Sequence, residues 1–132
     1  MPIAASSKST LEIADATVLV VDDDPDVRRV LQEFVAAVAS AVYVASSAQQ
    51  ALLLLAERDV DILVTDLILP DIDGFSLARR ALALRPTLRV LYISGYIETT
   101  RQSTARPRAG NFLAKPCRFQ EFDRALRSLV AA

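Results

Sequence analysis

The sequence predicts a doubly wound α/β fold with five parallel strands in the order 2-1-3-4-5 and helices on both faces. Three observations predict it. Aliphatic runs of strand length, at about 17–21, 41–45, 61–65, 88–93 and 111–114, alternate with segments of helical periodicity. The connections are short, and parallel strands need helical, right-handed crossovers. Four of the runs lead into a chemically committed residue, Asp22, Asp66, Ser94 or Lys115, and the carboxyl edge of such a sheet is where ligands bind.

The elements follow in order. Residues 1–16 are rich in Ser, Thr and Ala, lack the apolar stretch of a secretory signal, and read as a flexible N-terminal tail before a domain spanning 17–132. After the first strand, Val27, Val30, Leu31, Phe34, Val35 and Val38 recur at helical spacing, and Asp24-Pro25 supplies a cap and a first-turn residue. Ala48 to Glu57 and Phe75 to Leu84 read as the second and third helices. The last helix is marked by Phe119, Phe122, Ala125, Leu126, Leu129 and Val130. Between Ile97 and Gly110 large apolar residues are almost absent and Pro107 interrupts, so the fourth helix is expected to be short or mobile. The strand order is that of flavodoxin-like folds, whose switch point lies between strands 1 and 3. Asp22, Asp23 and Asp66 would meet there.

A chain of 132 residues favours one domain with one real core, and no apolar run approaches the roughly 18 residues that span a bilayer. Cys117 is the only cysteine, so an internal disulfide is excluded and a cytoplasmic, reducing setting is expected. There is no histidine, which excludes histidine acid–base chemistry, histidine zinc sites and an internal histidine phosphodonor. Charge is uneven: residues 1–74 hold 4 basic and 13 acidic side chains, residues 75–132 hold 11 basic and 3 acidic. The basic residues lack an interleaved aromatic pattern, so direct nucleic-acid binding is not expected; an acidic partner surface is.

Asp22-Asp23-Asp24 clusters carboxylates where an apolar strand meets solvent. Unpaired they repel one another, and a hard divalent cation such as Mg²⁺ relieves this; a solvated, helix-capping acidic turn is the plainer alternative. An EF-hand is rejected, because Val27 stands where the obligatory glycine belongs. A haloacid-dehalogenase-type phosphatase is disfavoured, because Asp26 replaces its expected Thr or Val. Asp66 ends a strand alone before a turn, Pro70-Asp71-Ile72-Asp73-Gly74, as a nucleophile toward phosphorus would. Lys115 is one of two lysines against thirteen arginines, and a compact ammonium suits a crowded pocket of oxygens. Ser94 before Gly95 offers an unblocked hydroxyl at a strand tip.

Together VLVVDDD, ILVTDLILPDIDG, VLYISG and FLAKP, in that order and spacing, resemble the receiver domain of bacterial two-component response regulators over about residues 17–131. The resemblance implies that Asp66 accepts a phosphoryl group from a histidine kinase or histidine phosphotransfer protein. It implies Mg²⁺ held by Asp22, Asp23, Asp66 and the backbone carbonyl of Ile68, with Ser94 and Lys115 on the phosphoryl oxygens. Lys115-Pro116 is expected to be cis. Catalysis would be confined to the chain's own phosphorylation and dephosphorylation. The readout would be a downstream protein target, or a dimer, at the face of the fourth helix, the fifth strand and the last helix; membrane partners are not expected. LYISGY and FLAKP also resemble receivers attached to hybrid sensor kinases. The alternative is a receiver fold kept as a phosphorylation-independent docking module.

Departures from the family pattern carry their own expectations. The switch aromatic is Phe112, which repacks without a phenol hydrogen bond, and Cys117 replaces a common Phe. Ile68 and Tyr96 are large where many relatives are polar, and would shield an acyl phosphate from water. The segment 97–110 would be the element that phosphorylation reorders.

Overall fold

The computed structural model describes residues 11–95 and 111–131. Five parallel strands, β1 (Thr17–Val21), β2 (Ala41–Ala45), β3 (Ile62–Asp66), β4 (Arg89–Ser94) and β5 (Phe112–Ala114), form one sheet in the order β2-β1-β3-β4-β5. The helices are α1 (Pro25–Val38), α2 (Ala48–Glu57), α3 (Gly74–Leu84) and α4 (Phe119–Val130). This is the predicted flavodoxin-like order. The expected fourth helix and Tyr96 lie outside the described residues, so α4 here is the helix expected last.

Alternation along the central strands sorts their side chains onto two cores. Val18, Val20, Ile62, Val64, Leu91 and Ile93 face α1 and α4, packing on Leu31, Val35, Phe122 and Leu126. Leu19, Val21 and Leu63 face α2 and α3, packing on Ala51, Leu55, Leu77 and Ala81. Both faces are covered, which is why these strands read as continuous apolar runs. A third, smaller cluster gathers Leu67, Ala78 and Tyr92 with Phe75 and Phe112.

One sequence expectation needs correcting. Leu11 to Ala16, assigned to the tail, is docked: Ile13–Asp15 forms a 3₁₀ turn, and Ile13, 4% exposed, joins the core beneath α1 and α4. The reason is burial of a β-branched side chain worth about 2 kcal/mol, which a Ser/Thr-rich composition conceals. Among the described residues no helix is long and apolar enough to cross a membrane.

The β1–α1 and β3–α3 turns are tied down by short-range chemistry. Asp24 Oδ1 accepts the Asp26 and Val27 N–H groups at 2.9 and 3.3 Å, capping α1 ahead of Pro25 as its sequence position predicts. Gly74 opens α3 against the end of β3, where a Cβ would collide with the Asp66 carbonyl oxygen. Its N–H donates to the Leu67 carbonyl at 2.8 Å. Asp71 reaches across to α2 and accepts from Ala48 and Gln49 N–H at 3.0 and 2.8 Å. Arg85, just past α3, donates to the Leu55 and Arg58 carbonyls at the other end of α2.

Candidate functional site

The site is built at the carboxyl ends of β1 and β3. These are adjacent strands in register from Val18↔Ile62 to Val21↔Thr65, so the residues that follow, Asp22 and Asp66, emerge side by side. Carboxylate oxygens of Asp22, Asp23 and Asp66 lie within 4.8 Å of one another, with Asp22 and Asp66 buried and Asp23 exposed. Asp24 stands apart as the helix cap. The sequence ambiguity over the acidic run therefore resolves residue by residue: two carboxylates for the cluster, one for α1.

Lys115 enters from the turn after β5, preceded by a main-chain bond from its N–H to the Ser94 carbonyl at 2.7 Å and followed by a cis peptide to Pro116. Its Nζ donates to Asp22 Oδ2 and Asp66 Oδ2, 3.1 Å each. The two carboxylates hold the ammonium pKa above its ordinary value although burial works against them. Burial, and then repulsion from Asp22, raises the Asp66 carboxyl; Lys115 and the Ile68 N–H pull it back only in part. Asp66 Oδ1 is buried and has no hydrogen-bond partner among the described residues. A buried, unpartnered carboxylate oxygen marks a place for something else to bind.

Ser94 is fully buried at the tip of β4, one residue past the Asp66↔Ile93 pairing and opposite Ala114 in β5. Ile68, two residues past Asp66, is 57% exposed. Phe112 lies in a cluster of rings, 5.1 Å from Tyr92 and 6.0 Å from Phe75 between centroids. Cys117, its thiol pKa pushed up by burial and then by Glu121, lines an apolar groove of about 410 Å³ with Val27, Leu31, Phe34 and Pro116.

Two side chains escaped sequence reasoning. Thr65 Oγ1 donates to the Asp66 carbonyl at 2.9 Å, and Arg28 Nη1 donates to the Asp22 carbonyl at 2.9 Å. Their only sequence signal was adjacency to the acidic residues, which a strand threonine or a helix arginine shares with many others.

What the fold and site define is an acidic, lysine-clamped strand-edge site on a five-stranded doubly wound sheet, the class of receiver-fold signalling modules. A profile of the response regulator receiver domain matches residues 18–127, and the chain belongs to that family of two-component signalling domains. Response regulator receiver protein CpdR of Brucella abortus (strain 2308) is 28% identical over 116 residues, covering 87% of this chain and 97% of that one. Sensor kinase CckA of the same organism is 30% identical over 137 aligned positions, covering 98% of this chain and 14% of the kinase. A solved putative response regulator from Chloroflexus aurantiacus J-10-fl superposes with a TM-score of 0.77 at 29% identity, covering 89% of this chain and 99% of that one.

Proposed function

We propose that this receiver takes a phosphoryl group on Asp66 from the phosphohistidine of a histidine kinase or phosphotransfer protein, in an Mg²⁺-dependent reaction. The observation that carries the reading is the Lys115 ammonium, 3.1 Å from both Asp22 and Asp66, beside an Asp66 oxygen left without a partner. Similarity to a receiver protein and to part of a sensor kinase supports that class of donor.

The donor set fits a hard cation. Asp22, Asp23 and Asp66 offer only oxygen, and with the Ile68 carbonyl they would hold Mg²⁺ in preference to a softer metal. Bound there, the ion neutralises charge on the phosphoryl oxygens. The chain's own groups do the rest. An Asp66 carboxylate oxygen attacks phosphorus, forming the O–P bond as the N–P bond breaks and the donor imidazole keeps the electron pair. Lys115 holds the carboxylate against its burial-driven preference for a proton and stands ready for a phosphoryl oxygen. The Ser94 hydroxyl takes a second oxygen. Such transfer is mostly positioning and charge neutralisation, which these residues supply.

Phe112 and the face around β5 and α4 form the proposed readout toward a protein target or a second copy. The decisive experiment is intact mass spectrometry after incubation with acetyl phosphate and Mg²⁺. One phosphoryl adduct is expected, absent in Asp66→Asn and in EDTA. A folded, Mg²⁺-binding protein that gains no adduct overturns the reading in favour of a phosphorylation-independent docking module.

A further inference from the structure

The three carboxylates of the cluster are held unequally. Asp22 is fixed twice, its Oδ1 accepting the Asp24 N–H at 3.0 Å and its Oδ2 accepting Lys115. Asp66 is fixed by Lys115. Asp23 is exposed, and no hydrogen bond or ion pair with a described residue holds its carboxylate. With no partner to hold it, where its carboxylate can reach is set first by where the backbone places its Cα.

That backbone is tethered at two points. The Asp22 N–H donates to the Ala45 carbonyl of β2 at 3.1 Å, which continues the sheet. The Asp22 carbonyl, which belongs to the peptide plane leading into Asp23, accepts Arg28 Nη1 at 2.9 Å. Arg28 sits on a firm base, because its own N–H donates to the Asp24 carbonyl at 2.9 Å and closes the first turn of α1. Among the described residues no ion pair joins its guanidinium to a carboxylate of the cluster; the side chain bonds the main chain instead.

We infer that Arg28 is a positioning residue of the site: its guanidinium fixes the Asp22–Asp23 peptide and thereby aims the Asp23 carboxylate at the divalent cation. The inference rests on the cation reading given above. Two effects of Arg28 oppose each other, which makes the sign of the result informative. A fixed positive charge near a cation site weakens cation binding, whereas an oriented ligand strengthens it. Removal of a group that orients a metal ligand lowers affinity by about tenfold or more.

The test is calorimetric titration of Mg²⁺ into the full, unphosphorylated chain. Arg28→Met keeps the aliphatic stem and loses the donors; Arg28→Lys keeps a charge and a donor. Arg29→Met serves as the control, since Arg29 is exposed and pairs only loosely with Asp26, at 3.6 Å. Arg28→Met is expected to bind Mg²⁺ about tenfold more weakly, Arg28→Lys to recover part of the loss, and Arg29→Met to match the wild type. In acetyl phosphate labelling, Arg28→Met should need more Mg²⁺ for half-maximal rate yet reach the wild-type plateau. Unchanged or tighter binding in Arg28→Met overturns the inference, as does a fallen plateau with unchanged affinity. Should Arg28→Met fail to fold, Arg28→Ala is read by the same criteria. A wild-type chain that binds no Mg²⁺ overturns the cation reading and this inference together, whereas a normal wild type with an unaffected variant overturns the inference alone.

Discussion

Asp66→Asn should stabilise the cation-free protein. At an effective dielectric of about 20, like charges 4.8 Å apart repel by about 3.5 kcal/mol, the lower bound for Asp66 against Asp22. Asp23 adds a similar repulsion reduced by its exposure to solvent. Against these stands the Lys115 ammonium at 3.1 Å, attracting by about 5.4 kcal/mol on the same scale. The charges nearly cancel, so burial decides, and it disfavours the ionised carboxylate. Asn removes the charge and keeps an oxygen for Lys115, giving an expected gain of about 1–2 kcal/mol at pH 7 in EDTA. Urea denaturation measures it. Mg²⁺ should narrow or reverse the gap, since about a hundredfold excess over Kd stabilises the folded wild type by about 2.7 kcal/mol. The pH dependence has a fixed sign. The folded pKa of Asp66 lies above the unfolded 3.8, so the ionised group weakens the fold at neutral pH. The wild type therefore recovers relative to Asn as pH falls through the raised folded value, and the gap closes below the unfolded one. An Asn variant no more stable than the wild type in EDTA at pH 7 would refute the reasoning.

Asp71→Ala should lose about 1 kcal/mol in urea titrations at pH 7, because it leaves the Ala48 and Gln49 N–H groups of the first turn of α2 without their acceptor. Burial works slightly upward on the Asp71 carboxyl, but the Ala48 and Gln49 N–H groups hold it below its usual range. The loss should thus be present above the unfolded pKa and fade as pH falls through the depressed folded value. Ile68→Asn should speed decay of the phosphorylated chain several-fold if Ile68 screens the acyl phosphate from water; a decay rate on radiolabel chase equal to the wild type counts against screening. Gly74→Ala drives a Cβ into the Asp66 carbonyl and should cost about 2 kcal/mol by urea titration and slow acetyl phosphate labelling; an undisturbed variant would show that the β3–α3 turn yields freely.

Much of this arrangement was legible in one dimension because strand ends and chemistry coincide. Runs buried on both faces announce parallel strands, and a parallel sheet sends its strand ends to the same edge, so the meeting of Asp22, Asp66 and Lys115, and the place of Ser94 at that edge, followed from order alone. The cap role of Asp24 was legible from Pro25. What escaped depends on contacts across the fold. Ile13 sits in a short Leu-Glu-Ile-Ala-Asp-Ala stretch without a helical or strand period, and its burial against α4 needs the C-terminal helix in place. Arg28 and Thr65 act on main-chain carbonyls, which leave no trace in sequence. The ring cluster of Phe75, Tyr92 and Phe112 unites residues from three elements. Its parts read simply as a helix start and two strand positions.

Helix α2 has only ten residues, too few to persist in water without tertiary support. Ser47 caps the Gln50 N–H of its first turn, but the Ala48 and Gln49 N–H groups are taken by Asp71 and the last carbonyls by Arg85, both borrowed from the stretch between β3 and β4. Fraying at either end of the helix therefore also means releasing a residue anchored beside α3. In hydrogen-exchange terms, the amides of α2 and α3 belong to one cooperative opening unit, hinged on the same turn that follows Asp66.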